Sequence, residues 1–268
     1  MNGSVLRFED VSLSFEGTPA LDHVSFDMEA GATRIVYGVA GSGKTTLLKA
    51  SLGLVSPDSG RIFVFGEEVT HLKENDWFQI RAKMGILFQE GGLFDSLTVG
   101  ENVAYPLLNQ QAGAGRVSQN GHVAGRVSEA LSFVELEGTE DKFPSELSGG
   151  MRRRVGIARA VVTEPPLLLY DSPTAGLDPI TANNIVNLIL KERDLRHATS
   201  VMVTHRFQDG HLLANFRYNP SSGQIERAPA GSEMTTQFFV MHEGRLVFVG
   251  TQEELKASRD PYVQKFAK

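Results

Sequence analysis

Residues 34–54, RIVYGVAGSGKTTLLKASLGL, are the stretch on which the fold prediction depends. RIVYGV is almost wholly apolar, which is typical of a parallel strand that is buried on both faces. TLLKASLGL has the apolar spacing of a helix, and Pro57 and Gly60 follow it as helix breakers. Between them, Gly38–Thr45 fits the pattern G-x-x-x-x-G-K-[ST]. A strand, a glycine loop and a helix in this order predict a phosphate-binding loop.

The chemistry of such a loop is specific. Its glycines let successive backbone amides turn toward one centre, and the following helix adds the positive end of its dipole. Lys44 would reach the outer phosphates of a nucleotide, and Thr45 would hold Mg²⁺. An ordinary glycine-rich turn is the alternative, and the position between a buried strand and a helix disfavours it. The predicted nucleotide-binding residues of this loop are Gly38, Val39, Ala40, Gly41, Ser42, Gly43, Lys44, Thr45 and Thr46.

Strand and helix patterns alternate along the rest of the chain. Strands are predicted in VLRFEDVSLSF, HVSFDME, RIFVFGEEV, MGILFQ, LLLY and SVMVTH. Helices are predicted in most of Val99 to Val134, after Ser148 and in TANNIVNLILKER, with a mobile loop expected at NQQAGAGRVSQNG. Because strands alternate with helices, we expect an α/β fold with a parallel sheet.

We expect a single domain over residues 1–268 with three additions to its core. These are a helical subdomain at about 90–158, a hairpin insert at about 210–237 and a C-terminal tail at about 251–268. The tail follows a hairpin that turns at Glu243 and Gly244, and it is predicted to be a charged helix.

Composition excludes several classes of protein. The chain has 268 residues, 41% of them hydrophobic, no cysteine and a formal net charge of -6. No apolar run approaches a membrane span, the start lacks the pattern of a secretory signal, and disulfides are impossible. An acidic chain also argues against a general nucleic-acid binder, which needs a surplus of Lys and Arg. We therefore expect a cytoplasmic protein whose membrane association comes through a partner.

LLLYDSPTAGLD, residues 167–178, delivers a carboxylate to the end of an apolar strand. Phosphoryl transfer needs a second anchor for the metal, and Asp171 at the tip of a neighbouring parallel strand suits that role. The alternative is that Asp171 caps the next helix, since Ser172, Pro173 and Thr174 could begin one.

LSGGMRRRVGIARA, residues 147–160, predicts a second anion-binding end. Ser148, Gly149 and Gly150 would start a helix with free amides and the helix dipole behind them. Since the loop at Gly38 already suffices for one triphosphate, a two-fold dimer would let each subunit present this end to its partner's nucleotide. The alternative is that Ser148 only caps the helix and that Arg152 to Arg154 form a solvated face.

Together these residues resemble the ATP-binding subunits of ABC transporters over nearly the whole chain. The family's phosphate loop matches Gly38–Thr45, its LSGGQ signature matches Leu147–Met151 with Met in place of Gln, and its metal-binding strand ends at Asp171. The resemblance implies a P-loop NTPase fold with a RecA-like parallel-sheet core, an N-terminal antiparallel β subdomain and an inserted helical subdomain. It also implies ATP and Mg²⁺ as cofactors.

Further single residues take roles from the same resemblance. Gln89 stands where the family's Q-loop glutamine contacts the metal and senses the membrane partner. Asp178 matches the aspartate that couples the two sites of a dimer, and His205 matches the switch histidine on the terminal phosphate. Phe15 falls where an aromatic ring stacks on adenine. Taken singly, Gln89 could be a polar strand end, His205 a solvated turn and Phe15 a core residue.

Within the family, three stretches look most like the Mla-type and Mce-associated lipid-transport ATPases: GGLFDSLTVGENVAYPL, LSGGMRRRVGIARA and the tail DPYVQKF. That likeness implies a multi-span permease docking near Gln89 to Tyr105 and an MCE-type lipid-binding protein in the same complex. The two-fold dimer argued from Ser148–Gly150 adds a second ATP-binding subunit, and we expect a homodimer, although the sequence leaves a heterodimer open. The same likeness places the chain at the cytoplasmic face of a bacterial inner membrane.

Ser172 departs from the family pattern, which has a catalytic glutamate after the metal aspartate. The implied catalytic set is Lys44, Gln89, Ser172 and His205, and the implied metal ligands are Thr45, Gln89 and Asp171. A hydroxyl cannot act as the general base, which typically contributes 10²- to 10⁴-fold.

Three accounts of Ser172 stay open: hydrolysis sustained by His205 and electrostatics, an ATP-dependent clamp with little turnover, or an engineered trap. Glu164 is considered as a substitute base. We expect slow but real hydrolysis, since positioning and charge stabilisation do most of the work in this chemistry. A soluble relative acting on DNA or ribosomes is disfavoured by the acidic charge.

Overall fold

The computed structural model describes residues 3–89, 91–112, 120–229 and 236–267. Its strands are β1 Ser4–Phe15, β2 Thr18–Glu29, β3 Thr33–Tyr37, β4 Ser59–Val64, β5 Glu67–Glu68, β6 Met84–Leu87, β7 Leu167–Asp171, β8 Thr199–Val203, β9 Phe216–Asn219, β10 Gln224–Arg227, β11 Thr236–His242 and β12 Arg245–Gly250. Its α-helices are α1 Lys44–Ser51, α2 Glu74–Arg81, α3 Val99–Ala112, α4 Asn120–Phe133, α5 Gly149–Val161, α6 Pro179–Arg196, α7 Phe207–Asn215 and α8 Gln252–Ala257. Two short 3-10 helices span Pro144–Glu146 and Val263–Phe266.

A six-stranded sheet forms the centre, in the order β12-β11-β3-β8-β7-β6. Strands β11, β3, β8, β7 and β6 run parallel, and β12 pairs antiparallel at the edge. Because parallel strands end at the same edge of a sheet, the loops after β3, β6, β7 and β8 meet there. Asp171 pairs in register with Val203, which places the segments after β7 and β8 side by side.

Alternating side chains of the central strands build two cores. Ile35, Tyr37, Leu168, Tyr170 and Met202 point to the face covered by helices α3 to α7. Their neighbours point to the opposite face, toward β1, β2 and α1; they are Val36, Leu167, Leu169, Val201 and Val203. All five residues of β3, β7 and β8 are buried, which agrees with the prediction of strands covered on both faces.

The N-terminal antiparallel sheet has the order β2-β1-β4-β5. The two-residue turn between β1 and β2 uses Glu16 at φ 49° and Gly17 at φ 80°, the left-handed conformations of a type I′ hairpin. The α-helical insertion comprises α3 and α4 packed on α5. The loop expected at residues 109–121 lies partly outside the described residues, and Asn109–Ala112 belongs to α3 while Asn120 begins α4.

The C-terminal third corrects two expectations. The insert at about 210–237 contains a narrower hairpin, β9–β10, and the helix α7 that precedes it was not predicted. The terminal segment is α8 followed by a 3-10 turn rather than one charged helix. The hairpin turn at Glu243 and Gly244 is present, with φ 48° and 79°.

Sequence patterning missed α7 because Gly210 interrupts it. A Cβ at that position would lie 2.2 Å from Tyr37 Oη, so the glycine serves close packing on the sheet. Among the described residues, no helix has both the length and the apolarity needed to cross a membrane.

Candidate functional site

The loop between β3 and α1 has the backbone that its glycines predict. Gly41 and Gly43 have φ values of 78° and 103°, in the left-handed region. A Cβ on Gly43 would lie 2.3 Å from the carbonyl oxygen of Ala20, so a side chain has no room there. Packing against Ala20 therefore requires a glycine at position 43, whether or not a ligand is bound.

The start of α1 presents unpaired amides. Gly43 is the N-cap of α1, with no side-chain cap. Within the described ranges, the amides of Gly43, Lys44 and Thr45 make no hydrogen bond with the protein. These donors and the helix dipole form an anion-binding end.

Lys44 lies over the same loop. Its Nζ donates hydrogen bonds to the carbonyl oxygens of Gly38 at 2.9 Å and Val39 at 2.8 Å. Burial lowers the pKa of Lys44, and the negative charge of Asp171 acts in the opposite direction. The ammonium group is thus held between the loop and the carboxylate at the end of β7.

Asp171 and Ser172 occupy the end of β7. Asp171 is 5% exposed. Ser172 has a left-handed φ of 48°, its amide donates to the carbonyl of Val203 at 2.9 Å, and its hydroxyl donates to Asp171 Oδ1 at 3.2 Å. The alternative role of Asp171 as a helix cap is wrong, because Asp178 caps α6 by accepting from the amides of Ile180 and Thr181.

Glu164 cannot replace the missing base. It precedes β7, whereas Asp171 ends that strand, and four steps of about 3.3 Å already separate Leu167 from Asp171. Glu164 is engaged in ion pairs with Arg126 at 3.2 Å and with Arg196.

Three further predicted residues are exposed. Gln89 follows β6, His205 follows β8, and Phe15 ends β1 with 50% of its surface exposed. The interpretation of Phe15 as a core residue is therefore wrong.

Two arginines of α5 hold the backbone around Gln89. Arg153 Nε donates to the carbonyl of Gln89 at 2.9 Å, and Arg159 Nη2 donates to that of Gly91 at 3.0 Å. Arg153 is buried, so the expectation of a fully solvated face from Arg152 to Arg154 is wrong. The helix of the Ser-Gly-Gly segment and the Gln89 loop are thus mechanically connected.

The Ser148 end opens into a cavity that the loop at Gly38 does not line. The hydroxyl of Ser148 accepts from the amide of Met151 at 3.2 Å, so this serine does cap α5. The end opens into a cavity of about 520 Å³ whose described lining includes Ser148–Gly150 and Gly176–Asp178 but none of Gly38–Thr45. One subunit does not bring the two predicted anion-binding ends together.

Two features of the site escaped sequence reasoning. Asp209 accepts from the hydroxyls of Thr174 and Thr204 at the base of the loops after β7 and β8. Burial raises its pKa, and the two hydroxyls oppose that effect. The hydroxyl of Tyr262, in the tail, accepts from the amide of Val39 at 3.4 Å and donates to Met241 O at 3.0 Å. Neither contact has a local sequence signal, since each joins residues from separate elements.

Residues 21–175 match the family model described as ABC transporter. The chain belongs to the ABC transporter family. The predicted membership, based on Gly38–Thr45, Leu147–Met151 and Asp171, is thereby confirmed.

Three relatives within the family show the range of similarity. The chloroplastic protein TRIGALACTOSYLDIACYLGLYCEROL 3 of Arabidopsis thaliana is 34% identical, over 98% of this chain and 73% of its own length. The probable ribonucleotide transport ATP-binding protein mkl of Mycobacterium leprae is 31% identical, over 98% and 69%. The intermembrane phospholipid transport system ATP-binding protein MlaF of Haemophilus influenzae is 29% identical, over 100% and 92%.

Solved structures of the family share the fold. The ATP-binding cassette MJ0796, a dimer in a post-hydrolysis state bound to ADP and Pi, aligns with a TM-score of 0.76 at 26% identity, covering 92% of this chain and 98% of that one. The protein cbiO1 from Clostridium perfringens, part of the ABC transporter complex cbiONQ, aligns with a TM-score of 0.75 at 27% identity, covering 96% and 92%. The predicted α/β P-loop NTPase fold is confirmed.

The oxygens predicted to bind metal suit Mg²⁺. Thr45, Gln89 and Asp171 would supply a hydroxyl, an amide oxygen and a carboxylate, and Mg²⁺ prefers oxygen ligands. In the part of the chain that the structure describes, no group of three or more His, Asp or Glu side chains could hold a metal. These three oxygens alone would leave coordination positions of Mg²⁺ open for water or phosphate oxygens.

Proposed function

We propose that the chain is the ATP-binding and ATP-hydrolysing subunit of a lipid transporter. One observation carries the proposal. The loop Gly38–Thr45, the buried Asp171 and the exposed His205 all follow parallel strands of one sheet, and they meet at its carboxyl edge. Phosphoryl transfer needs such a grouping of amide donors, cation and metal anchor.

Each residue has a role in this proposal. The free amides at Gly43–Thr45 and the Lys44 ammonium bind the β- and γ-phosphates, and Phe15 stacks on adenine. Thr45, Gln89 and Asp171 would hold Mg²⁺, and the ion would supply positive charge to balance that of the phosphates. His205 donates a hydrogen bond to the terminal phosphate. Water attacks that phosphorus as the bond to the bridging oxygen breaks, ADP leaves with that oxygen, and the proton lost by the water passes to an oxygen of the released phosphate.

The chain works as a two-fold dimer closed by ATP. The cavity at Ser148–Gly150 is not lined by any residue of Gly38–Thr45 from the same subunit, and the related MJ0796 is a dimer. Each subunit therefore presents this end to the nucleotide of the other, and Asp178 lies beside it at the shared cavity. Light scattering should show an ATP-dependent dimer in the presence of EDTA, and Ser148→Arg should abolish it. A monomer under all nucleotide conditions would contradict this assembly.

Hydrolysis is slow because no carboxylate follows Asp171. The Ser172 hydroxyl donates a hydrogen bond to Asp171, and a hydroxyl oxygen is too weakly basic near neutral pH to take a proton from water. Steady-state phosphate release should exceed that of Lys44→Ala, and Ser172→Glu should raise it by about 10²- to 10⁴-fold. Phosphate release equal to that of Lys44→Ala would contradict hydrolysis. With ATP-dependent dimerisation intact, that result would favour the second candidate, a clamp with little turnover, which Ser172 itself motivates.

A permease docks on a mainly apolar cleft beside Gln89. The cleft has a volume of about 330 Å³, and Phe88, Phe94, Tyr105 and Arg159 are among the residues that line it. Phe94 and Tyr105 are 41% and 43% exposed although they contact each other at 4.7 Å between ring centroids. Because Arg153 and Arg159 attach the adjacent backbone to α5, a partner here would communicate with the dimer interface.

The cargo is a phospholipid or another lipid of the bacterial envelope. The relatives MlaF and TRIGALACTOSYLDIACYLGLYCEROL 3 support this class by their names, whereas mkl is named for ribonucleotide transport. We place the chain at the cytoplasmic face of the inner membrane, in a complex with the permease and an MCE-type protein.

Affinity purification from detergent-solubilised membranes tests these partners. The tagged chain should retain a multi-span protein and an MCE-type protein, and Tyr105→Asp should release both while ATP binding persists. Phospholipid should stimulate phosphate release by the purified complex. Stimulation by ribonucleotides and not by lipid would contradict the cargo.

A further inference from the structure

A buried carboxylate connects the loops that follow β7 and β8. Asp209 lies in the first turn of α7 and is 0% exposed. Its Oδ2 accepts one hydrogen bond from the hydroxyl of Thr174 at 2.6 Å and another from that of Thr204 at 2.7 Å. Thr174 belongs to the segment after Asp171, and Thr204 directly precedes His205. One oxygen atom therefore ties together the two loops that carry Asp171 and His205.

The start of α7, which carries Asp209, is held against the central sheet. The hydroxyl of Tyr37, at the end of β3, donates to the carbonyl of Phe207 at 3.1 Å. A Cβ on Gly210 would lie 2.2 Å from Tyr37 Oη and 2.8 Å from the ring of Phe238, so α7 rests directly on the sheet. The strand that leads into the phosphate loop thus also fixes the start of α7. A side chain held in this way can set the position of flexible loops.

The arrangement is costly for a purely structural contact. Oδ1 of Asp209 accepts no hydrogen bond from any described residue, and Arg206 Nε lies 3.8 Å from it. A buried carboxylate that is only half satisfied destabilises the folded state, and apolar residues would join two loops at lower cost. Unsatisfied buried polar groups are exceptions in folded proteins, and a role in function is one explanation for them.

We propose that Asp209 is a positioning residue for ATP hydrolysis. Through Thr174 and Thr204 it sets the spacing between the loop that holds Asp171 and Ser172 and the loop that holds His205. The inference rests on the proposed hydrolytic function. Asp209 itself does not touch the nucleotide.

Hydroxyl deletions test the connection without removing the buried charge. Thr174→Val and Thr204→Val keep the shape of the side chain. Thr139→Val is the matched control, because the hydroxyl of Thr139 is also buried but donates to the carbonyl of Leu136, which belongs to neither loop. Each substitution is made in the chain as it is and in Ser172→Glu, whose faster turnover widens the measurable range.

Each of the two valine variants should lower kcat for phosphate release at least tenfold, while the Kd for ATP stays within twofold. Thr139→Val should change neither quantity by more than twofold. Adding Thr174→Val to Asp209→Ala should cause little further loss, since both remove the same connection. Losses no larger than that of Thr139→Val, or losses that multiply in the double variant, would overturn the proposal.

Amide hydrogen exchange separates failure of this inference from failure of the proposed function. Thr174→Val should speed exchange at the Arg206 amide in the opposite loop, and Thr204→Val should speed exchange at the Ala175 amide, each at least threefold. If neither the unchanged chain nor Ser172→Glu releases more phosphate than Lys44→Ala, the proposed hydrolytic function is wrong. The exchange rates alone then test whether Asp209 connects the two loops. Unchanged exchange across the loops would then refute that connection.

Discussion

Replacing Glu192 by glutamine should make the protein more stable at alkaline pH. Glu192 lies on the inner face of α6 and is 1% exposed. Burial raises its pKa from 4.5 to about 7, opposed by the charge of Arg196 and assisted by that of Glu164. Arg196 Nε lies 3.3 Å from Oε2, but neither carboxylate oxygen accepts a hydrogen bond from a described residue. The ion pair with Arg196 therefore offsets only part of the free-energy cost of burying the Glu192 carboxylate.

The sign of the pH effect follows from the two protonation states. Below pH 4.5 the carboxyl is protonated in the folded and the unfolded chain. Between pH 4.5 and about 7 only the unfolded chain releases the proton, so the free energy of unfolding falls as pH rises. One pKa unit corresponds to about 1.4 kcal/mol, so the complete loss above pH 7 is about 3 kcal/mol.

Urea unfolding between pH 5 and pH 8 measures this effect. Fluorescence of Trp77, the single tryptophan, and far-UV circular dichroism should report the same transition. The stability of Glu192→Gln relative to the unchanged chain should increase by about 2 to 3 kcal/mol from pH 5 to pH 8. Ser51→Ala, which removes a buried hydroxyl that does not titrate, should shift stability equally at every pH. Parallel pH profiles for Glu192→Gln and the unchanged chain would refute the reasoning.

Three further substitutions test packing and nucleotide contacts. Gly210→Ala should lower the free energy of unfolding by about 1 to 3 kcal/mol through overpacking. Gly125→Ala is the control, because its Cβ would meet nothing within 4 Å, and it should be neutral or stabilising. Equal denaturation midpoints for the two variants would contradict this prediction. Tyr262→Phe should weaken binding of a fluorescent ATP analogue about two- to fivefold by removing a hydroxyl that accepts from the phosphate loop, and unchanged affinity would exclude that role. Phe15→Ala should weaken ATP binding about tenfold, because stacking of an aromatic ring on a base contributes about 1 to 3 kcal/mol. Phe15→Tyr should keep the affinity of the unchanged chain. If Phe15→Tyr binds ATP no better than Phe15→Ala, stacking is excluded.

Local sequence patterns predicted those strands of the central sheet whose residues are all buried. The fully apolar runs before Gly38 and before Asp171 form buried parallel strands, since a strand covered on both faces needs apolar residues throughout. Helix α7 escaped prediction because Gly210 weakens its local signal, and the reason for that glycine is the hydroxyl of Tyr37 on a distant strand.

Alternatives at the predicted site were decided by tertiary contacts. Asp178 rather than Asp171 caps α6, and Glu164 is held in ion pairs at the far end of β7. Arg153 is buried against the carbonyl of Gln89 although its neighbours in sequence are arginines. Helical spacing alone could not show which of three consecutive arginines faces inward.

The sequence by itself determined the class of chemistry: a loop of glycines, a lysine and a threonine between a strand and a helix binds phosphate because adjacent residues create the whole anion site. Ser172 also led, without a structure, to the prediction that a hydroxyl stands where the resemblance implies a carboxylate base. Only the tertiary structure decided how the loops after β7 and β8 are held together, through Asp209 and two hydroxyls. The physical reason is the separation of the contacting residues along the sequence. Hydrogen bonds within a loop follow from the residues of that loop. A contact between loops that are distant in sequence forms only once the sheet has brought the ends of their strands side by side.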